Sequence, residues 1–206
     1  MIFDLWDTLA LWPSKAFEEV KRELARYIDD LERVWITTYE ERQVGKIEAY
    51  FRGLGLGDEA VAECMRIRGD FTRDALVPRE GAIETLDELK RRGFKRGLIS
   101  VCSSDVEEVW DETELAPHLD DVVLSCAVGL SKPDPRIYRL ACERLDVEPG
   151  ECLFVGDGAN DELAGAHGVG MRAVCVLPPG RAEPLWPEAR GWEPTITSLP
   201  EVLALV

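Results

Sequence analysis

Acidic, hydroxyl and basic side chains follow several short apolar segments of this chain. Asp4 comes directly after the opening "MIF", and Ser100 ends the segment "RGLIS". Lys132 follows a third apolar segment, and Asp157 and Asp161 follow a fourth in "GDGAND". Residues that follow neighbouring parallel strands meet at one edge of the sheet. We therefore expect three carboxylates, one hydroxyl and one ammonium group to share a crevice.

The carboxylates of this crevice require a compensating cation. Carboxylates that lie close together repel one another, so they remain ionised only when positive charge offsets them. Lys132 supplies one such charge. Mg²⁺ fits the remaining need best, because it takes one or two carboxylates and keeps water or substrate phosphate in its other positions. The sequence therefore predicts a magnesium site.

The apolar segments themselves predict an α/β fold with a doubly wound parallel sheet. They are "MIF" at the start and then residues 96–100, 121–125, 151–155, 172–177 and 194–198. Helical patterns such as "GAIETLDELKRRG" and "DPRIYRLACERL" lie between most of them. This alternation is typical of a parallel sheet with helices on both faces.

Residues 13–77 have a different, charged and helical pattern. The stretch "SKAFEEVKRELARYIDDLERVWITTYEER" places apolar residues at steps of three and four, which predicts that all of it is helical. Three glycines in "FRGLGLGDEA" interrupt the pattern, and Asp58 begins a further helix. Because this block separates "MIF" from the other strands, we predict an inserted α-helical cap at 13–77. The core would then comprise 1–12 and 78–206.

Charge and cysteine usage limit the partners and the compartment. Forty acidic residues against 24 basic ones give a net charge of -16, which repels nucleic acid and anionic membrane surfaces. No run of 18 apolar residues is present, so we expect no membrane partner. The six cysteines form no C-x-x-C pair and no signal-peptide pattern precedes them, which predicts reduced thiols in a cytoplasmic protein. The short "MIF" strand suggests that the natural start lies upstream of Met1.

Four motifs, in this order, resemble those of the haloacid dehalogenase (HAD) superfamily. They are "FDLWDTL", Ser100, Lys132 in "SKPDP", and "VGDGANDELAGA", and with a type 1 helical cap the resemblance covers essentially the whole chain. It implies that Asp4 is a nucleophile that forms an aspartyl-phosphate, and that Thr8 orients it. It also implies that Ser100, Val101 and Lys132 bind the phosphoryl oxygens of a small phosphorylated substrate.

The same resemblance assigns the metal ligands. Asp157 would bind Mg²⁺ alongside Asp4 and the backbone carbonyl of Trp6. Asp161 would hold the metal through water or fix Lys132. We expect the protein to act as a monomer or a homodimer.

Trp6 departs from the phosphatases of this superfamily, which place an aspartate there as general acid and base. Such a group is typically worth about 10² to 10⁴ in rate, and tryptophan cannot replace it. We expect Asp7 not to take over this role, because strand alternation directs it to the opposite side. The prediction is therefore a slow Mg²⁺-dependent phosphatase.

Three alternatives remain at this stage. The superfamily's haloacid dehalogenases have an aromatic residue at the position of Trp6, but they lack the metal-binding aspartate that "GDGAND" retains. Its phosphonatases use a cap lysine as a Schiff base, for which Lys21 and Lys46 are the candidates. The third alternative is a binding or regulatory protein that kept the pocket but lost turnover.

Overall fold

A computed structural model describes residues 1–206 and contains one six-stranded sheet. The strand order is β3-β2-β1-β4-β5-β6, and every neighbouring pair is parallel. The strands are β1 (Ile2–Phe3), β2 (Gly97–Ser100), β3 (Asp121–Leu124), β4 (Leu153–Gly156), β5 (Arg172–Val176) and β6 (Thr195–Ile196). Each predicted apolar segment overlaps one of these strands, with β4 extending one residue beyond its segment, so the predicted α/β fold class is confirmed.

Helices cover both faces of the sheet because successive strand residues point in opposite directions. Phe3 belongs to an apolar cluster with Leu86 of the helix that follows the cap segment. Ile2 belongs to a second cluster with Ile137 and Leu163, which lie on two later helices. The helices of this part are α6 (Ala82–Arg91), α7 (Ser104–Val109), α8 (Ser125–Val128), α9 (Pro135–Leu145) and α10 (Glu162–Gly168).

The helical block between β1 and α6 has an apolar cluster of its own. Its helices are α1 (Ser14–Leu24), α2 (Leu31–Thr37), α3 (Tyr39–Arg42), α4 (Ile47–Gly53) and α5 (Asp58–Ala75). All 12 buried residues of the cluster lie between Val20 and Ala75. Asp58 begins α5 as expected, but the prediction of helix throughout the first stretch is wrong at 25–30 and at Thr38. Asp30, directly before α2, adopts a left-handed φ of 49°, which a right-handed helix does not accommodate.

Arg79 lies where the chain passes from the helical block back to the sheet, and its hydrogen bonds fix this segment. Its backbone N–H donates to the carbonyl of Leu9 at 2.7 Å. Its guanidinium donates to the carbonyl of Leu177 at 2.7 Å and to that of Thr197 at 3.2 Å. Arg79 therefore ties the segment after β1 to the chain beyond β5 and β6. None of the helices is both long enough and apolar enough to cross a lipid bilayer.

Candidate active site

Asp4 lies directly beyond β1 at the carboxyl edge of the sheet. Its backbone N–H donates to the carbonyl of Val155 at 2.8 Å, which extends the pairing with β4 by one residue. Its side chain is buried, with 6% of the residue exposed. A carboxylate in such a position is costly without a charged or hydrogen-bonding partner.

Lys132 is that partner. Its ammonium group donates to the carboxylates of Asp4 and Glu162 and, at 3.3 Å, to the carbonyl of Ile99. Burial by itself would lower the pKa of Lys132, but the two carboxylates outweigh it and raise that pKa above its ordinary value. Lys132 is therefore charged, and it holds Asp4 in place from the opposite wall of the crevice.

Glu162 is a site residue that the sequence reasoning missed. Its Oε1 accepts the N–H of Gly158 at 3.0 Å, and its other oxygen accepts from Lys132. Gly156 makes room for it, because a Cβ at that position would lie 2.0 Å from Oε1. Burial and the charge of Asp4 raise the pKa of Glu162, whereas Lys132 opposes this. The only sequence signal is that this glutamate directly follows "GDGAND".

Asp161, which we predicted to hold the metal through water or to fix Lys132, does not contact that lysine. Asn160 and Asp161 both have left-handed φ angles, of 54° and 52°. This turn leaves Asp161 exposed and directs Glu162 inward. The residue that fixes Lys132 is therefore Glu162, and a water-mediated role of Asp161 at a metal stays a prediction.

Asp157 follows β4 and is almost fully buried. Its Oδ1 accepts the N–H of Ala159 at 3.1 Å, and its Oδ2 accepts the indole N–H of Trp186 at 2.6 Å. Burial, reinforced by the charge of Asp4, raises the pKa of Asp157 to about 6. One oxygen each from Asp4, Asp157 and Glu162 lies within 4.8 Å of the other two.

These residues fit Mg²⁺. Three buried carboxylates face one ammonium group, so the cluster carries excess negative charge. Glu162 is committed to the charge of Lys132 and to the N–H of Gly158, whereas Asp4 keeps one oxygen without a hydrogen bond and Asp157 accepts only from uncharged N–H donors. Asp4 and Asp157 are therefore the carboxylates that would hold the metal. A hard cation with oxygen ligands would neutralise this excess. The backbone carbonyl of Trp6 as a further ligand stays a prediction.

Two buried hydroxyl groups at this edge have no hydrogen-bond partner. They belong to Thr8, in the turn after β1, and to Ser100, the last residue of β2. Strands β1 and β2 are neighbours in the sheet. Buried polar groups are nearly always paired, so an unpaired one calls for a ligand or a solvent molecule. A ligand with several oxygen atoms would satisfy both. Val101 follows Ser100 beyond the strand, and its phosphate-binding role stays a prediction.

Trp6 lies at the junction between the sheet and the helical block. Its side chain is half-buried and contacts the apolar clusters of both parts. Its ring meets that of Trp12 edge-on, with the centroids 4.9 Å apart. The carboxylate of Asp7 accepts the backbone N–H of Trp12 at 3.1 Å, so it is engaged in the turn. Position 6 therefore carries an apolar ring, which can neither give nor take a proton in acid–base chemistry.

Lys21 and Lys46, the two candidates for a Schiff-base lysine, lie in ion pairs. Lys21 pairs with Glu18 and Glu32 at 2.8 and 3.0 Å, and Lys46 pairs with Glu107 at 2.8 Å. None of these partners belongs to the carboxylate cluster. The arrangement offers no support for a Schiff-base lysine.

Comparison with known proteins assigns this chain to a family. Residues 1–168 match the model of the haloacid dehalogenase-like hydrolases. A glyceraldehyde 3-phosphate phosphatase of Methanopyrus kandleri is 30% identical over 197 residues, which cover 85% of this chain and 82% of that protein. An (S)-2-haloacid dehalogenase 4A of Burkholderia cepacia is 39% identical over 99 residues, covering 46% of this chain and 41% of that protein.

Two further comparisons concern length and fold. A haloacid dehalogenase-like hydrolase domain-containing protein 3 of Bos taurus is 35% identical over 127 residues, or 62% of this chain and 49% of that protein. The chain thus spans about half the length of this curated relative. The crystal structure of a HAD phosphatase from Thermococcus onnurineus superposes with a TM-score of 0.73 at 24% identity, covering 99% of this chain and 95% of that one. It supports the fold.

Proposed function

Because this chain belongs to the haloacid dehalogenase-like hydrolases, we propose that it is a slow Mg²⁺-dependent phosphatase of small phosphorylated metabolites. The observation that carries the proposal is the buried pair of Asp4 and Lys132 beside the unpartnered hydroxyls of Thr8 and Ser100. Phosphoryl transfer through an aspartyl-phosphate needs a carboxylate nucleophile, a fixed cation and free hydroxyl donors.

The first half of the reaction takes place at Asp4. One carboxylate oxygen attacks phosphorus, an O–P bond forms, and the ester P–O bond breaks so that the alkoxide leaves with the electron pair. Lys132 and Ser100 donate to the phosphoryl oxygens as their charge develops. When bound by Asp4 and Asp157, Mg²⁺ would supply further positive charge to these oxygens.

The second half returns the enzyme to its starting state. Water attacks phosphorus, the O–P bond to Asp4 breaks, and inorganic phosphate leaves with the carboxylate restored. Trp6 can neither protonate the leaving alkoxide nor accept a proton from the attacking water. Both protons must therefore be exchanged with solvent, which makes turnover slow for alkyl esters. Aryl esters, whose leaving groups need no proton, are hydrolysed faster.

The test compares 4-nitrophenyl phosphate with ethyl phosphate in the presence of Mg²⁺. We expect phosphate release from both, much faster from the aryl ester, and none above background from Asp4→Asn. The matched control is Asp146→Asn, an exposed aspartate at the end of α9 that accommodates asparagine in its left-handed conformation. Activity of Asp4→Asn within tenfold of the native protein would eliminate the covalent mechanism.

Hydrolysis of 2-haloacids is the second candidate, favoured by the aromatic residue at position 6. In that reaction Asp4 displaces halide from carbon and forms an alkyl ester, which water then cleaves. Chloride release from 2-chloropropionate without Mg²⁺ would establish it. Absence of both phosphate and chloride release would instead favour a binding or regulatory protein.

We also propose a role for the helical block, an oligomeric state and a cellular compartment. Residues 13–77 would act as a cap that sets the substrate, and the protein would work as a monomer or homodimer. The six cysteine thiols are all free, which supports a reducing compartment such as the cytoplasm.

A further inference from the structure

Arg42 is a buried cation that has no acidic partner. It ends α3, and only 3% of its surface is exposed. Its guanidinium carbon stacks 3.8 Å from the centre of the Trp35 ring, and Nη1 donates to the hydroxyl of Thr38 at 2.9 Å. No carboxylate forms an ion pair with it, whereas most other arginines of this acidic chain have one.

Arg68 lies near Arg42 and has unused donors. Its Nη2 donates to Asp105 at 2.7 Å and to the hydroxyl of Ser103 at 3.1 Å. Its Nε and Nη1 are buried without any acceptor. Its guanidinium carbon lies 5.7 Å from the centre of the same Trp35 ring. The cluster thus combines two arginines with one carboxylate and carries one uncompensated positive charge.

An isolated buried charge is expensive, and aromatic contact offsets only part of the cost. Proteins ordinarily pair such a group or replace it by an apolar residue. The unused N–H groups of both arginines would be satisfied by an anion with two oxygens. A guanidinium fork matches a carboxylate in this way.

This cluster adjoins the active site. Tyr39 begins α3, and the Arg42 guanidinium lies 5.9 Å from the centre of its ring. Arg68 itself donates to Ser103, which lies three residues beyond the end of β2. The Ser125 hydroxyl donates to the carbonyl of Gln43 at 2.7 Å and so fixes the end of α3 at the sheet edge.

We infer that Arg42 and Arg68 bind a carboxylate of the substrate. The substrate class is then phosphate monoesters that also carry a carboxylate, with the phosphate at Lys132 and the carboxylate at the arginine pair. One net positive charge in the cluster suits one carboxylate. This inference rests on the proposed phosphatase activity.

The test uses two esters of similar size, carboxymethyl phosphate and ethyl phosphate, with Mg²⁺ present. We expect the native chain to favour the carboxylated ester by about 100-fold or more in kcat/KM, as for a buried charge pair. Arg42→Met should lower this ratio to below about 10. Arg42→Lys keeps the charge but loses the forked guanidinium, so its ratio should lie between those of the native chain and Arg42→Met. The matched control is Arg66→Met, a surface arginine of α5 paired with Glu63 and Asp70, which should leave the ratio unchanged.

Two further measurements separate the possible outcomes. Without ligand, the Tm of Arg42→Met should be no lower than that of the native chain, because the substitution removes an uncompensated charge. If Arg42 were purely structural, its replacement would lower the Tm. If neither ester is hydrolysed, the phosphatase proposal fails. Calorimetry with carboxymethyl phosphate then still tests the subsite, since native binding that is lost in Arg42→Met supports it. An equal ratio, or equal binding, in native and Arg42→Met proteins would overturn the inference.

Discussion

Trp6 is the residue at which the chemistry of this chain is most altered. It lies two positions after the nucleophile, packs edge-on against Trp12 and joins two apolar clusters. The groups that we propose for phosphoryl transfer are present in the chain: a paired carboxylate, a charged lysine and free hydroxyls. Under that proposal, the indole stands in the place of the proton-transfer group, while the groups that would bind and attack a phosphate remain.

Trp6→Asp should restore that function. We expect kcat/KM on ethyl phosphate to rise about 10-fold or more, short of the full effect of a positioned acid because the surroundings are packed around an indole. Hydrolysis of 4-nitrophenyl phosphate should rise less, since its leaving group needs no proton. Loss of the ring should also lower the free energy of unfolding by about 2 kcal/mol.

Trp6→Asn is the matched control, because it opens the same space with a side chain of the same size that cannot transfer a proton. Equal acceleration in Trp6→Asn and Trp6→Asp would mean that space rather than proton transfer limits the native chain. The tryptophan would then shape a binding pocket.

For individual residues, the sequence could predict the site positions that depend only on where a motif lies in the chain. Asp4 and Asp157 directly follow β1 and β4, and parallel pairing brings these strand ends together. Lys132 lies further from its strand, beyond α8, and was identified by its motif "SKPDP". Glu162 could not be predicted, because two left-handed residues decide that it, rather than Asp161, faces inward. Arg42 and Arg68 come together at the Trp35 ring, a tertiary contact that periodicity does not reveal.

At the scale of elements, the segment between β5 and β6 packs against the loop after β4, next to the candidate site. A Cβ at Gly158, in the loop after β4, would lie 2.2 Å from the Cβ of Ala189, so the two stretches are in direct contact. From the same segment, the indole of Trp186 donates to Asp157 at 2.6 Å. Outer partners of this kind orient metal-binding carboxylates.

Trp186→Phe should therefore weaken Mg²⁺ binding by about 10-fold or more, with the fold retained. Titration calorimetry measures this directly. Trp192→Phe is the matched control: its indole lies on the same segment but donates to the carbonyl of Ala173 at 3.1 Å, and its loss should leave Mg²⁺ affinity unchanged. Equal Mg²⁺ affinity in the native and Trp186→Phe proteins would show that Trp186 is a packing residue only.

The strands and the helices differ in how far sequence could locate them. Short apolar segments bounded by polar residues located all six strands, because both faces of this sheet are covered and the strands are buried. The helical block was less predictable. Its apolar periodicity continues through 25–30, but α1 ends at Leu24 and the next helix begins only at Leu31, after a left-handed Asp30. A left-handed residue cannot continue a right-handed helix, so local backbone conformation overrides the pattern there.

At the scale of the whole molecule, negative charge dominates both the surface and the active site. The chain carries a net charge of -16, and its crevice gathers three carboxylates against one lysine. Long-range repulsion disfavours anionic substrates, so local cations must overcome it. Lys132, a bound metal and the arginine pair would supply them at separate points, which explains how so acidic a protein could accept an anionic substrate.

The charge of the crevice also makes Mg²⁺ stabilisation depend on pH. The pKa of Asp157 is raised from 3.8 to about 6 by burial and by the charge of Asp4, so the folded state holds its proton more tightly than the unfolded state does. The contribution of this group to stability is therefore present at low pH and is lost as pH rises through about 6. Above that pH, Mg²⁺ would bind the ionised carboxylate without competition from the proton.

We accordingly expect millimolar Mg²⁺ to raise Tm more at about pH 7.5 than at about pH 5, because ligand stabilisation grows as the apparent Kd falls. Scanning calorimetry at both pH values, with and without Mg²⁺, measures the difference. Asp157→Asn should lose most of the shift and its pH dependence together, whereas the surface variant Asp146→Asn should keep both. A Tm shift of equal size at the two pH values in the native chain would mean that the metal is held without Asp157, contrary to the arrangement of the site.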